Sequence, residues 1–301
     1  MKETNQAGDH VREQIRHGYT QIAEAGVFVG EGSAAVREEL AGGSEPSDCC
    51  SGGSCCGPTT IGVDQLAEQI GYTSDELEAL PGGANMGLSC GNPTAIAELR
   101  EGEVVLDLGS GGGFDVFLAG PRVGSSGRAI GIDMTAEMVS KARANIDQYR
   151  NATGLDNVEF RLGEIEHLPV ADAAVDVVIS NCALNLSTDK AAAWSEIFRV
   201  LKPGGRVAIS DIALLKELPA SARSTVEDWV GCVAGAISVD AMHRLLTHHG
   251  FEDITLTPKP DYVRAMMDAG DPLYQKLAGL LDSGDPTKYI TSLDVVAQRP
   301  A

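Results

Sequence analysis

Short apolar runs alternate with helical stretches through the middle of the chain, and this alternation constrains the fold more than any other feature. Five runs rich in Val, Ile and Leu have the length and composition of strands that are buried on both faces of a sheet. They are Glu103–Leu108, Arg128–Asp133, Val158–Leu162, Val175–Ser180 and Arg206–Asp211. Because helical stretches separate them, we predict a doubly wound, Rossmann-like α/β fold with a parallel sheet.

The two ends of the chain have other patterns. Helical periodicity dominates before the first run, including a short helix from Thr73 to Leu80 with Ser74 as its expected N-cap. We predict a helical N-terminal region over 1–88 with a Cys-rich loop at 42–60, a ligand-binding Rossmann-like domain over 89–215, and a C-terminal region over 216–301. The last region mixes helices with two strand-like runs, which predicts a small α+β subdomain.

The composition restricts the partners of the chain. The 301 residues carry a formal net charge of −20, and such a field repels nucleic-acid phosphates and anionic lipid. No apolar run approaches the roughly 18 residues that a membrane-spanning helix needs. Residues Met1 to Thr20 are polar and lack the pattern of a signal peptide. We therefore expect a cytoplasmic protein that binds neither nucleic acid nor membranes.

A glycine-rich segment follows the first predicted strand, where open α/β sheets bind nucleotides. It reads Asp107-Leu108-Gly109-Ser110-Gly111-Gly112-Gly113 and opens a helix. Glycine lets the backbone turn tightly and approach a ligand closely. The dinucleotide fingerprint needs its third glycine where this chain has Phe114, so a pyrophosphate cradle fits poorly. The spacing instead resembles the loop of class I methyltransferases, which bind S-adenosylmethionine.

Further candidates for cofactor binding follow the next strands. Asp133 ends the second strand, about 20 residues after the glycines, where an acid accepts hydrogen bonds from ribose hydroxyls. Glu164 follows the third strand, where the resembled family recognises adenine; an ordinary strand-end acid is the alternative at both positions. The predicted set is Asp107, Gly109, Ser110, Gly111, Gly113, Asp133, Met134, Gly163, Glu164, Ile165 and Asn181. The resemblance implies S-adenosylmethionine as the cofactor.

Three cysteines are candidates for a common site. Cys182 ends the fourth strand, and ligands of open α/β sheets bind at the carboxyl ends of the strands. Cys90 precedes the first strand and Cys232 follows the fifth, and each is next to a glycine. Three thiolates gathered at this edge would form a soft, sulfur-only site. The alternative is that each is a small core residue, and in a reducing cytosol we expect thiols rather than disulfides.

Together these segments resemble the arsenite methyltransferases over most of the chain. The shared motifs are Ser89-Cys90-Gly91, Asp107–Gly113, Gly131–Met134, Ser180–Cys182 with Asn185-Leu186, Glu217–Pro219 and Trp229–Gly235. The resemblance implies that Cys90, Cys182 and Cys232 bind As(III), which accepts the methyl group in arsenic detoxification. It also implies arsenite and methylated trivalent arsenicals as ligands. A thiol reductant, glutathione or thioredoxin, would reopen a disulfide formed in the reaction.

Four further cysteines lie in the N-terminal loop: Cys49, Cys50, Cys55 and Cys56. Tetrahedral zinc sites favour pairs spaced Cys-x-x-Cys, whereas these cysteines are adjacent in pairs. We expect the loop to capture arsenite and to take part in disulfide exchange as catalytic thiols. An unstructured linker with incidental cysteines is the alternative. The doubled pairs leave open which of the four would act.

Two other functions fit the same sequence. A class I methyltransferase of a small carbon or oxygen acceptor, such as a quinone precursor or a sterol, would use the glycine loop and leave the cysteines without a role. A non-catalytic arsenic- or metal-binding protein would keep both the fold and the thiols. Dependence of activity on Cys182 distinguishes the first alternative, and turnover distinguishes the second.

Overall fold

A seven-stranded sheet forms the centre of the structure, a computed structural model that describes residues 2–26, 62–227 and 233–301. The strands are β1 (Val104–Leu108), β2 (Arg128–Asp133), β3 (Val158–Leu162), β4 (Val175–Asn181), β5 (Leu201–Leu214), β6 (Glu252–Lys259) and β7 (Ile290–Gln298). Their order is β3-β2-β1-β4-β5-β7-β6. Strands β1 to β5 pair in parallel, which confirms the predicted doubly wound sheet.

The two C-terminal strands complete this sheet. β7 pairs antiparallel with β5 over nine residues, and β6 pairs antiparallel with β7. The sequence pattern predicted that both strands lie in a small α+β subdomain, but their backbone hydrogen bonds join them to the main sheet. The long β5 strand leaves an edge that β7 covers. The boundaries of the three predicted regions stay a prediction.

Helices pack on the sheet and at its edges. In chain order the described helices are α1 (Lys2–Ala25), α2 (Val63–Gln69), α3 (Ser74–Glu78), α4 (Pro93–Ile96), α5 (Phe114–Val123), α6 (Ala136–Ala144), α7 (Ile146–Thr153), α8 (Lys190–Val200), α9 (Ala220–Glu227), α10 (Val239–His248), α11 (Pro260–Asp268) and α12 (Pro272–Leu280). None of these described helices has the length and apolar character needed to cross a membrane. The cytoplasmic location stays a prediction.

The core has two layers, one on each face of the sheet. Leu106 of β1 packs in a buried cluster with Trp194 of α8, whereas its neighbour Val105 packs in a second cluster with Phe117 of α5. Successive side chains of a strand point to opposite faces, so both faces of β1 are apolar and buried. This arrangement explains why the strand sequences are continuous apolar runs rather than alternating patterns.

The N-terminus of α3 corrects the predicted cap. Thr73, rather than Ser74, is the N-cap residue: its hydroxyl accepts a hydrogen bond from the backbone N–H of Glu76. The Glu76 carboxylate accepts in return from the backbone N–H of Thr73 at 2.8 Å. This reciprocal pair is a capping box, which satisfies two backbone donors at once.

Candidate active site

A cleft of about 700 Å³, including its open mouth, lies at the carboxyl ends of β1, β2, β3 and β4. Of the predicted cofactor-binding residues, those that line it are Gly109, Gly111, Asp133, Met134, Gly163, Ile165 and Asn181. Asp107, Ser110, Gly113 and Glu164 are not among the lining residues. Cys182 lines the same cleft. The structure therefore brings together residues at the ends of four strands that are far apart in sequence.

The glycine loop has a backbone that other residues rarely adopt. Gly109 has a φ of +71°, and a Cβ added there would lie 2.3 Å from the Cβ of Ala183. Gly113 has a φ of +93°, and its added Cβ would lie 2.7 Å from the rings of Phe117 and Phe160. Gly109 therefore keeps the floor of the cleft open, whereas Gly113 permits close packing of α5 on the sheet.

Asp133 connects the end of β2 to the glycine loop. Its carboxylate accepts hydrogen bonds from the backbone N–H groups of Gly111 at 2.9 Å and of Thr135 at 2.8 Å. Burial raises the pKa of Asp133 above its usual value, although these hydrogen bonds oppose the shift. Each carboxylate oxygen can accept more than one hydrogen bond, so the group can also bind hydroxyls of a ligand.

The cleft fits S-adenosylmethionine by the chemistry of its lining. Gly109 and Gly111 have no Cβ atoms, so a ligand could approach the backbone of this loop closely, and the Asp133 carboxylate could accept hydrogen bonds from ribose hydroxyls. Met134 and Ile165 contribute apolar side chains to the lining of the cleft. Among the described residues, the hydroxyl of Ser110 is a buried side-chain polar atom without a hydrogen-bond partner.

Helix α1 covers one side of the cleft, which the sequence did not predict. Arg12 and Tyr19 of α1 line the cleft. The guanidinium of Arg12 lies 3.8 Å from the carboxylate of Glu164 and donates to the hydroxyl of Thr188 at 2.9 Å. Arg16, one helical turn later, donates to Glu164 at 3.2 Å. Glu164, which was predicted to recognise adenine, thus forms ion pairs that hold α1 against the cleft. The sequence signal for this contact was the spacing of Arg12 and Arg16, which places both on one face of a helix.

Cys90 and Cys182 are joined by a disulfide bond, with their Cα atoms 6.0 Å apart. Cys182 follows the end of β4 and has a φ of +55°, a conformation that is costly for a side chain with a Cβ and recurs at functional sites. The sequence predicted thiols at these positions, whereas the structure has the two cysteines in the oxidised state. The pairing follows from the fold, because it places the two sulfurs within bonding distance.

The other cysteines predicted for this chemistry lie outside the described residues. They are Cys49, Cys50, Cys55, Cys56 and Cys232. Their roles stay predictions, and so does the completion of a three-sulfur site by Cys232.

Asn181 holds the backbone around Cys90 in position. Its side-chain oxygen accepts from the backbone N–H of Cys90 at 3.0 Å, and its side-chain nitrogen donates to the carbonyl of Gly91 at 2.8 Å. The same nitrogen contacts the hydroxyl of Tyr72 at 3.0 Å and the carboxylate of Asp115 at 3.2 Å. Burial raises the pKa of Asp115 to about 6. Asn181 therefore links the cleft to the cysteine segment through a buried polar network.

A buried carboxyl group, missed by the sequence analysis, lies beside the two sulfurs. One carboxylate oxygen of Asp211, near the end of β5, lies within 4.8 Å of the sulfurs of Cys90 and Cys182. Its oxygens accept from the backbone N–H groups of Ile212 at 2.8 Å and of Asn185 at 2.9 Å. Burial raises the pKa of Asp211 to about 7. The sequence signal was its place at the carboxyl end of a predicted strand.

The fold and the cleft define a class I methyltransferase, and comparison with known proteins agrees. A family model described as a methyltransferase domain matches residues 99–250 of this chain. With this match, the strand order and the glycine loop at the end of β1, the chain belongs to the S-adenosylmethionine-dependent methyltransferases of class I.

Within that class, the chain belongs to the arsenite methyltransferase family. It is 42% identical over 275 residues to an arsenite methyltransferase of Halobacterium salinarum. This match covers 88% of this chain and 66% of the relative. It is 40% identical over 158 residues to an arsenite methyltransferase of Aquipseudomonas alcaligenes, which spans 52% of this chain and 46% of the relative.

A solved structure supports the same placement. The crystal structure of an arsenic (III) S-adenosylmethionine methyltransferase from Chlamydomonas reinhardtii superimposes with a TM-score of 0.56 at 30% identity. The match spans 82% of this chain and 75% of that one. The chain covers less than two thirds of the length of the two curated relatives, so it corresponds to a part of each.

Proposed function

We propose that this protein transfers a methyl group from S-adenosylmethionine to trivalent arsenic bound by cysteine thiolates, a reaction that detoxifies arsenic. One observation carries the proposal: Cys182 lines the cofactor cleft, and its sulfur is within bonding distance of the sulfur of Cys90. Soft thiolate ligands suit a thiophilic element. The names of the relatives, arsenite methyltransferases, favour the same substrate.

The residues of the site would act by orientation. When bound, S-adenosylmethionine supplies an electrophilic methyl group on a sulfonium. Cys90 and Cys182, with Cys232 as the third ligand, would hold the arsenic substrate at the end of β4 with its lone pair facing the cleft. Arsenic needs no proton removed before it accepts a methyl group, so positioning replaces general-base catalysis. Arg12 and Tyr19 of α1 would exclude water from the cleft.

The Cys90–Cys182 disulfide is an expected product of this reaction. Methyl transfer raises arsenic formally from the trivalent to the pentavalent state. Two cysteine thiols can return two electrons to arsenic and become one disulfide, as between Cys90 and Cys182. A thiol reductant, glutathione or thioredoxin, would then reopen the bond by disulfide exchange. The four cysteines of the N-terminal loop would capture arsenite and exchange disulfides with this pair.

The test is a turnover assay on Cys182→Ser and Cys90→Ser beside the parent protein. Each protein is incubated with S-adenosylmethionine, arsenite and a thiol reductant, and methylated arsenicals are quantified by mass spectrometry. We expect each variant to lose activity by at least about 100-fold, because the arsenic loses a ligand that positions it. Calorimetric titration should show S-adenosylmethionine binding within about twofold of the parent, which establishes that the cleft is intact.

Two results would contradict the proposal. Full methyl transfer to a quinone precursor or a sterol by Cys182→Ser would favour a class I enzyme of a carbon or oxygen acceptor. Arsenic binding by the parent protein without any methylated product would favour a non-catalytic binding protein.

A further inference from the structure

Strand β7 places two polar side chains against the segment that carries Cys90. Ser292 and Asp294 are two residues apart, so both point to the same face of the strand, whereas Leu293 between them packs in the main apolar core. Ser292 is 0% exposed and Asp294 is 8% exposed. A buried polar group is costly unless it is hydrogen-bonded, so the contacts of these two side chains indicate their role.

The hydroxyl of Ser292 binds the backbone of Cys90. It donates a hydrogen bond to the Cys90 carbonyl at 2.8 Å, although the two residues are 202 positions apart in sequence. The backbone N–H of Cys90 donates in turn to the side-chain oxygen of Asn181 at 3.0 Å. Both backbone polar groups of Cys90 are therefore bound by side chains of strands, one at the end of β4 and one in β7.

Asp294 supports the surface on which this segment lies. Its carboxylate accepts a hydrogen bond from the hydroxyl of Ser210 on β5 at 2.8 Å. A Cβ added to Gly91 would lie 2.5 Å from the Cβ of Ser210, so the segment packs directly against that residue. The carbonyl of Ser210 lies 3.5 Å from the sulfur of Cys90 and accepts from the backbone N–H of Cys182 at 2.8 Å. Ser210 thus contacts both cysteines.

The sheet itself does not need the hydroxyl of Ser292. The backbone of Ser292 is paired with Ile212 of β5 on one side and with Lys259 of β6 on the other. The neighbouring hydroxyl of Thr291 is equally buried, but it donates to the carbonyl of Ser292 within the strand. The hydroxyl of Ser292 therefore serves the Cys90 segment, whereas that of Thr291 serves β7.

We propose that Ser292 is a positioning residue for Cys90, because its hydrogen bond fixes the backbone that holds the Cys90 sulfur beside Cys182. Without the hydroxyl, the Cys90 carbonyl loses its partner and the segment gains freedom to move. The sulfur then spends less time within bonding distance of Cys182, and an arsenic atom held by both sulfurs is bound more weakly. The inference rests on the proposed function for its arsenic step alone, since the proximity of the two sulfurs does not depend on arsenic.

The first experiment measures that proximity without arsenic. Ser292→Ala and its control, the nearly isosteric Thr291→Val, are made in a full-length protein in which the cysteines other than Cys90 and Cys182 are serine. Each protein is equilibrated with mixtures of reduced and oxidised dithiothreitol, quenched with acid, alkylated and analysed by mass spectrometry. We expect Ser292→Ala to lower the equilibrium constant for forming the disulfide about fivefold, and Thr291→Val to leave it within about twofold.

The second experiment measures the reaction in the protein with all its cysteines. We expect Ser292→Ala to lower kcat/KM for arsenite roughly tenfold, mainly through a higher KM, because the substrate loses affinity. Its dissociation constant for S-adenosylmethionine should stay within about twofold of the parent, since Ser292 is not among the residues that line the cofactor cleft. Thr291→Val should keep both values. A purely structural role would instead change the two variants alike.

Two results would overturn the proposal: equal disulfide equilibrium constants for Ser292→Ala and Thr291→Val, or a loss of S-adenosylmethionine affinity as large as the loss for arsenite. If Ser292→Ala does not fold, Gly91→Ala takes its place, because its Cβ pushes the segment away from Ser210. The same fall in the equilibrium constant is expected, and an unchanged value overturns the proposal. If the parent protein makes no methylated arsenic, the proposed function fails, whereas the disulfide equilibrium still decides the role of Ser292.

Discussion

At the scale of single residues, Gly109 shows how one missing Cβ makes the cleft possible. Two costs would follow from a side chain there: the backbone has a φ of +71°, and the Cβ would lie 2.3 Å from the Cβ of Ala183. The first cost is about 1 kcal/mol for a residue other than glycine. The second forces the loop or Ala183, another lining residue of the cleft, to move.

We predict that Gly109→Ala destabilises the protein and weakens its binding of S-adenosylmethionine by at least about tenfold, a loss of about 1.4 kcal/mol. Gly154→Ala is a matched control, because Gly154 has the same φ of +71° and open space around its Cβ position. The control should lose about 1 kcal/mol of stability and keep its affinity. Thermal unfolding and calorimetric titration measure the two quantities. Equal affinity in both variants would contradict a role for Gly109 in the cleft.

At the scale of elements, the sequence predicted where the strands begin and end better than it predicted where the helices pack. Strands β1 to β4 match the predicted runs closely because each run is buried on both faces and is bounded by polar or glycine residues. The N-terminal region was predicted to be helical, but the position of α1 over the cleft depends on Glu164, which lies 148 residues after Arg16. A local pattern carries no information on such a distant ion pair.

We predict that Arg12→Ala raises the dissociation constant of S-adenosylmethionine about tenfold. The substitution removes a lining residue and loosens α1, because Arg12 lies 3.8 Å from Glu164 and donates to Thr188. Arg150→Ala, which breaks exposed ion pairs with Asp147 and Asp156, is the control and should bind as the parent does. Calorimetric titrations at low and high salt measure the effect. Unchanged binding by Arg12→Ala would show that α1 does not contribute to the site.

At the scale of the whole molecule, the site is assembled from several segments. The sequence identified most of these segments as candidates but did not predict how close they lie in the folded protein. Cys90, Cys182 and the glycine loop were candidates because of their residue types and their places at strand ends. Asp211 was not a candidate, because an acidic residue at a strand end is common. Only the folded structure shows that its carboxylate lies within 4.8 Å of both sulfurs. The pairing of β6 and β7 with the main sheet was missed for the same reason: strands pair with partners that are distant in sequence, and a local pattern does not identify those partners.

Burial of Asp211 makes the stability of the whole molecule depend on pH. Its pKa is about 7 in the folded protein, against an ordinary value of 3.8 in the unfolded chain. The folded state therefore holds a proton that the unfolded chain releases between these values. The contribution of this protonated carboxyl to stability is full below pH 3.8 and is lost as the pH rises through about 7, at about 1.4 kcal/mol per pH unit.

We predict that Asp211→Asn flattens this dependence, because an amide does not titrate. Between about pH 5 and pH 7, the free energy of unfolding of the variant should gain about 2 kcal/mol relative to that of the parent, and the difference should level off above that range. Urea unfolding of both oxidised proteins at several pH values measures it, with Asp147→Asn, at an exposed position, as the control that follows the parent. Parallel profiles for Asp211→Asn and the parent would mean that the carboxyl group is already ionised beside the sulfurs at neutral pH. In that case a fixed negative charge would face the cysteine pair, and the free energy needed to form thiolates there would be higher than a protonated Asp211 allows.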